Sequence, residues 1–89
     1  MSPEQSRAAR GWLGWSQTEL ARRASVSLST IRDFETGART PIANNLAAMQ
    51  RALESAGIQF VFSPNGEAAG IARGGADGSP PTSGTDDGA

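Results

Sequence analysis

Gln17-Thr18-Glu19-Leu20-Ala21-Arg22-Arg23-Ala24-Ser25-Val26-Ser27-Leu28-Ser29-Thr30-Ile31-Arg32-Asp33-Phe34-Glu35-Thr36 reads as two short helices separated by a tight turn. Ser16-Gln17-Thr18-Glu19 is a capping-box pattern, in which the Ser16 hydroxyl and the Glu19 carboxylate each satisfy an orphan amide. It opens a helix over residues 17–24, with Leu20, Ala21 and Ala24 on its inner side. Ser25-Val26-Ser27 breaks that pattern, and Ser27 caps a second helix over residues 28–36 whose inward positions are Ile31 and Phe34. Thr36-Gly37 ends it. Small Ala21 sits where the helices would cross, so close packing leaves Leu28, Ser29, Arg32 and Asp33 on the outer side of the second helix.

The flanking sequence supplies two more helices and a hairpin. Ser2-Pro3-Glu4-Gln5 sets a capping Ser before Pro at the first helical position, with Gln three places after the Ser. Ala8, Ala9, Trp12 and Leu13 then recur at helical spacing until Gly14, predicting a helix over residues 3–13. Thr40-Pro41 is a second cap followed by Pro and predicts a longer helix through Ala56, with Ile42, Leu46, Met49, Leu53 and Ala56 along one face. Gly57 is placed as its left-handed C-terminal residue, and Ile58 as the hydrophobic contact after it. Ile58-Gln59-Phe60-Val61-Phe62 alternates like a strand, Ser63-Pro64-Asn65-Gly66 is a turn signal, and residues 70–73 form a short return strand. A lone two-stranded hairpin is marginal in water, so these strands are expected to pack on the helices or pair with a second chain.

Composition bounds the rest. Eighty-nine residues of which 37% are hydrophobic, below a globular average of about 45–50%, support one small domain. Residues 1–73 carry eight Arg against six acids, a balance of +2, whereas residues 74–89 are rich in Gly, Pro and Ser, contain three Asp and hold no large apolar side chain. That segment is expected to be a disordered acidic tail, because it cannot bury enough surface to offset its ordering entropy. The chain thus divides into a helical domain at 1–57, a β element at 58–73 and the tail at 74–89. With no Cys and no His, disulfides, structural zinc, thiol nucleophiles and imidazole chemistry are excluded together. No phosphate loop, carboxylate pair in an apolar setting or Ser/His/Asp set is present, so no enzyme, cofactor or metal is expected. No run approaches the ~18 apolar residues of a membrane span and no signal peptide is legible, so a soluble, cytoplasmic protein is expected. All eight basic residues are Arg, which suits bidentate recognition of phosphate or guanine, although a GC-rich genome produces the same bias.

Two short helices packed in this way have the logic of a helix-turn-helix, which presents the outer side of its second helix to a DNA major groove. Arg10, Gly14-Trp15-Ser16-Gln17-Thr18-Glu19-Leu20-Ala21, Val26-Ser27, Ile31, Phe34-Glu35, Gly37, Pro41 and the helix from Leu46 to Leu53 together resemble the Xre family of phage-repressor-like and Cro-like regulators, over about residues 4–57. The resemblance implies a mainly α, lambda-repressor-like domain of about four helices. A short C-terminal β-strand or hairpin stands in place of the fifth helix common in phage repressors, and the tail follows it. Ser25 departs from the family, which usually has Gly in that left-handed turn. By position, the resemblance implies phosphate contacts from Gln17, Ser27, Thr30, Arg39 and Thr40. It implies base contacts from Leu28 to a thymine methyl, Ser29, Arg32 to guanine and Asp33 to cytosine N4. It implies a structural ion pair between Arg10 and Glu35, and dimerisation through a strand carrying Ile58, Phe60 and Phe62. The implied activity is transcriptional regulation, most often repression, by a homodimer on an inverted-repeat operator in double-stranded DNA of the bacterial nucleoid.

Plainer readings stand beside these. Ser29, Arg32 and Asp33 also suit an ordinary solvated helix face, Arg22 and Arg23 suit solvent as well as a phosphate backbone, and Trp12 and Trp15 suit core or interface packing. The tail suits a passive solubilising role better than DNA mimicry. Antitoxins and antiactivators use this same fold to bind a protein partner, which is the alternative function.

Overall fold

Ser2 opens the chain's order: its hydroxyl accepts from the Gln5 amide at 3.0 Å while the Gln5 side-chain carbonyl accepts from the Ser2 amide at 2.9 Å. This reciprocal cap starts α1 (Pro3–Leu13), and Gly14 stops it in the left-handed region at φ 71°. The computed structural model describes residues 1–73; the tail expected at 74–89 lies outside them. Over that span the elements continue with α2 (Gln17–Ala24), α3 (Leu28–Glu35), α4 (Ala43–Ser55), β1 (Ile58–Phe62) and β2 (Ala68–Arg73).

Each short helix is bounded by local chemistry. The Ser16 hydroxyl accepts from the Glu19 amide at 3.0 Å. The expected reciprocal half of that box does not form, because the Glu19 carboxylate turns instead to Arg22 and Arg23, one helical turn along. Ser25 ends α2 at φ 57° and ψ 42°, and among the described residues it is the only non-glycine with positive φ. The Val26 amide donates back to the Ala21 carbonyl at 3.1 Å, closing the turn. The Ser27 hydroxyl then accepts from the Thr30 amide and begins α3, which ends at Glu35, with Thr36 as its cap.

Helix α4 corrects one expectation. It begins at Ala43 rather than at Thr40-Pro41, and Ile42 keeps extended backbone (φ −61°, ψ 156°) as a cap without a side-chain hydrogen bond. Lifted off the helical stripe, Ile42 is 69% exposed instead of inward. Met49 and Leu53 remain buried on the inner face as expected, joined by Ile58 just beyond Gly57, which takes positive φ.

The core gathers Ala9, Leu20, Ala21, Ala24, Ile31, Phe34, Met49, Leu53 and Ile58 from all four helices and β1. On α1 the inner side differs from the one that the apolar spacing predicts. Ala8 and Trp12 are exposed, while Gln5 and Ser6 are buried beside Ala9. The apolar spacing misled because two inward places are taken by polar residues with distant partners. One of these is the Gln5 amide nitrogen, which donates to the carbonyls of Val61 at 3.0 Å and Gly70 at 2.8 Å.

Those two carbonyls belong to facing residues of the hairpin. β1 and β2 pair antiparallel from Ile58 opposite Arg73 to Phe62 opposite Ala68, with a bulge after Val61. The return strand therefore starts at Ala68, two residues before the sequence reading placed it. Ile58, Phe60 and Ile71 lie against the helices, whereas Val61 and Phe62 are exposed. Ile58, expected at a dimer contact, is 2% exposed within its own chain. Directly after the Gly57 turn, it folds back into the same cluster as Leu53.

A left-handed conformation costs a non-glycine residue roughly 1–2 kcal/mol. Ser25→Gly is expected to stabilise the domain by about 1 kcal/mol, raising the thermal midpoint by ~4–8 °C for a domain of this size. Thermal unfolding followed by circular dichroism checks this, and an unchanged midpoint contradicts it.

Candidate nucleic-acid interface

Helix α3 is held from beneath. Ile31 and Phe34 are buried, and Glu35, the last residue of the helix, is 2% exposed in the body of the protein. A carboxylate so placed needs donors, and the two preceding helices supply them. Arg10 on α1 approaches with Nη2 at 2.6 Å from Oε1 and Nε at 2.9 Å from Oε2. The Ser6 hydroxyl donates to Oε2 at 2.6 Å, and Gln17 Nε2 on α2 donates to Oε1 at 3.1 Å. Arg7 donates to the Glu35 backbone carbonyl. The same Arg10 guanidinium donates to the Trp15 carbonyl at 3.0 Å, tying down the loop between α1 and α2.

Burial alone pushes the Glu35 carboxyl upward. The hydrogen bonds from Arg10, Ser6 and Gln17 and the Arg10 charge outweigh that effect and hold it below its ordinary range. The hydrogen bonds to Glu35 and the charge of its carboxylate in turn outweigh burial and raise Arg10 above its own.

With its inner side fixed, α3 turns a polar side to solvent. Ser29 and Arg32 are exposed; Leu28, Thr30 and Asp33 are half-buried, Leu28 against the core. The Ser27 hydroxyl lies 3.1 Å from that of Ser29 and 2.7 Å from that of Thr30, so the start of α3 presents a chain of hydroxyls. Ser29, Thr30 and Asp33 share an open depression with Arg39 and Thr40 from the following turn, and with Ile42 and Asn45 at the start of α4. Arg39 and Thr40 are both exposed. The turn is set by the Asp33 carbonyl, which accepts from the amides of Ala38 at 2.9 Å and Arg39 at 3.2 Å.

Ser29, Thr30 and Asp33 of α3 thus come together with Arg39 and Thr40 of the following turn, but Gln17 of α2 stands apart. Its side chain is turned inward to Glu35 rather than outward. Arg22 and Arg23 are paired with Glu19, and the Arg23 guanidinium stacks 4.3 Å over the Trp15 ring, which explains that tryptophan. Of the strand residues, Phe60 is half-buried and Phe62 is 46% exposed. Three polar contributors escaped the sequence reading. Ser6 gives no signal beyond sharing a helix side with Ala9, Gln5 signals only its capping role, and Asn45, half-buried, follows the exposed Asn44 with nothing to set it apart. Among the described residues no group of three His, Cys, Asp or Glu side chains is placed to hold a metal, and no helix is long and apolar enough to cross a membrane.

Residues 7–56 match the helix-turn-helix family of Cro/C1 type, the family of Xre-like regulators, and the chain belongs to it. It is a DNA-binding family. No curated protein matches the chain.

Removing one partner of a buried ion pair leaves the other uncompensated, at about 3–5 kcal/mol. Arg10→Ala and Glu35→Ala are each expected to unfold the domain or lower its stability by about that amount in urea titration. A carboxyl held low in the folded state contributes its stability fully above the unfolded value of about 4.3 and loses it as pH falls through the folded value. The wild-type midpoint should therefore drop in this acid window.

Proposed function

We propose that this chain is a sequence-specific regulator of transcription, most often a repressor, which binds an inverted-repeat operator in double-stranded DNA as a homodimer in the bacterial cytoplasm. The observation that carries the reading is α3 itself: anchored by Ile31, Phe34 and Glu35, it keeps Ser29 and Arg32 in solvent, with Ser29 lining an open depression. An α-helix so mounted fits a major groove, where Arg32 grips guanine bidentately, Ser29 reads either partner, Asp33 accepts from cytosine N4 and Leu28 meets a thymine methyl.

Phosphates on either side set the register. Ser27, Thr30, Arg39 and Thr40 take the backbone next to α3, and Asn45 joins them from the start of α4. Gln17 contributes through its backbone amide at the start of α2, since its side chain serves Glu35. In a symmetric pair the two copies of α3 enter successive major grooves about 34–36 Å apart. Phe62, exposed at the end of β1 beside Val61, is the strand residue that faces a second copy, while Phe60 is half-buried against the core of its own chain.

The protein-partner reading, an antitoxin or antiactivator, is favoured by one further observation. Trp12 on α1 is 61% exposed and belongs to neither α3 nor the depression.

Binding to duplex DNA from upstream of its own gene, measured by gel shift across a salt series, is expected to weaken steeply with salt through counterion release. Arg32→Ala should reduce specific affinity by about 1–3 kcal/mol and flatten the preference at one base pair, leaving thermal stability unchanged. Absence of duplex binding at low salt sinks the proposal. Sedimentation of the wild type should give twice the chain mass, and Phe62→Glu should return it to the monomer. A wild type that sediments as a monomer at micromolar concentration removes the dimer.

A further inference from the structure

Asp33 stands where the fold gives it no support. It lies in the last turn of α3, the negative end of the helix dipole, where a carboxylate is disfavoured and a cation preferred. Glu35 in the same turn is compensated by Arg10, Ser6 and Gln17. Among the described residues the Asp33 carboxylate takes part in no ion pair or side-chain hydrogen bond, although Arg39 shares its depression. What holds the following turn is the Asp33 backbone carbonyl, which any side chain at this position would retain. A residue that breaks a local stability rule without a structural return is a candidate for function.

We infer that Asp33 is a specificity-determining residue that works chiefly by rejection. The inference rests on the duplex-reading role proposed for α3. Ser29, Thr30 and Asp33 line the depression, so a base edge entering it meets hydroxyls of either polarity and one pure acceptor. In the major groove guanine offers N7 and O6, and thymine offers O4, all acceptors that repel a carboxylate, whereas cytosine N4 is a donor without an adjacent acceptor on its own edge. Adenine pairs its N6 donor with the N7 acceptor, which suits a carboxamide better than a carboxylate. Phosphate oxygens are repelled as well, so Asp33 also weakens non-specific seating of the duplex in the depression while Arg39 and Thr40 hold the backbone at its rim. The operator is thus expected to carry cytosine at the one position facing Asp33 in each half-site, and the penalty elsewhere supplies discrimination.

The test is selection from a randomised duplex pool with the full chain, comparing wild type, Asp33→Asn and Asp33→Ala, alongside affinity for an unrelated duplex. Wild type should prefer cytosine at one half-site position by at least about 5-fold. Asp33→Asn should move that preference to adenine and leave the other positions unchanged, because a carboxamide bonds adenine N6 and N7 together. Asp33→Ala should abolish it. Both variants should bind the unrelated duplex several-fold more tightly than wild type, with a thermal midpoint no lower. An unchanged base profile in Asp33→Asn, or a lowered midpoint in both variants, overturns the inference while leaving the DNA-binding proposal intact. Failure of the wild type to enrich any duplex overturns both.

Discussion

Glu35 is the constraint on which the rest of the structure depends. A carboxylate removed from water must be met by charge and hydrogen bonds, and here the last turn of α3 presents the acceptor to donors from two other elements, Ser6 and Arg10 on α1 and Gln17 on α2. None of these helices can rotate without leaving the carboxylate short of a partner. Apolar packing of Leu20, Ile31 and Phe34 supplies most of the cohesion, but apolar contacts tolerate sliding. A directional network does not, and it fixes which side of α3 faces in. The outward polar side is therefore a consequence of a buried polar one.

The hairpin is fastened by the same means at the other end of α1. Two strands alone are marginal, and β1 gains its footing by placing Ile58 and Phe60 against the helices. The bulge after Val61 disturbs the ladder where its carbonyls still need donors. The Gln5 amide bonds both Val61 and Gly70 there, while its carbonyl completes the cap on Ser2. One side chain thus starts α1 and docks the sheet on it, so the β appendage and the helical domain share a single core.

What could be read from the sequence was what local chemistry decides. Ser2, Ser16 and Ser27 cap helices through bonds to amides three residues on, and Gly14 and Ser25 end α1 and α2 at the next residue, so the boundaries of those two helices are legible. The partners of Ser6 and Gln5 lie 29 and 65 residues away, and no spacing rule reaches that far. That is why Ala8 and Trp12 looked inward and why the inward pull on Gln17 was missed. Ile42 was misplaced for a related reason: Thr40-Pro41 is a good cap in isolation, but the chain leaving α3 hangs from the Asp33 carbonyl and reaches helical geometry only at Ala43. Ile58 satisfied the description of an exposed strand residue and of a core residue equally, and only the Gly57 turn decided between them.

The charge inventory bears on why a second copy belongs in the functional proposal. Of the eight Arg in the chain, Arg10 is committed to Glu35, Arg22 and Arg23 to Glu19, and Arg7 to a carbonyl. Arg32 and Arg39 are the two cations on α3 and the turn that follows it, and Arg32 is assigned to a base rather than to phosphate. Each phosphate neutralised contributes a salt-dependence slope of roughly 0.9, so one or two per chain provide little counterion release. A single protomer therefore has weak electrostatic purchase on any duplex. Two protomers joined rigidly double the phosphate contacts and convert the second docking into an intramolecular step, which raises affinity without adding contacts of a new kind. A scarcity of cations, combined with a carboxylate on the face proposed to read bases, thus argues for the proposed homodimer as the source of affinity and for Asp33 as a source of selectivity.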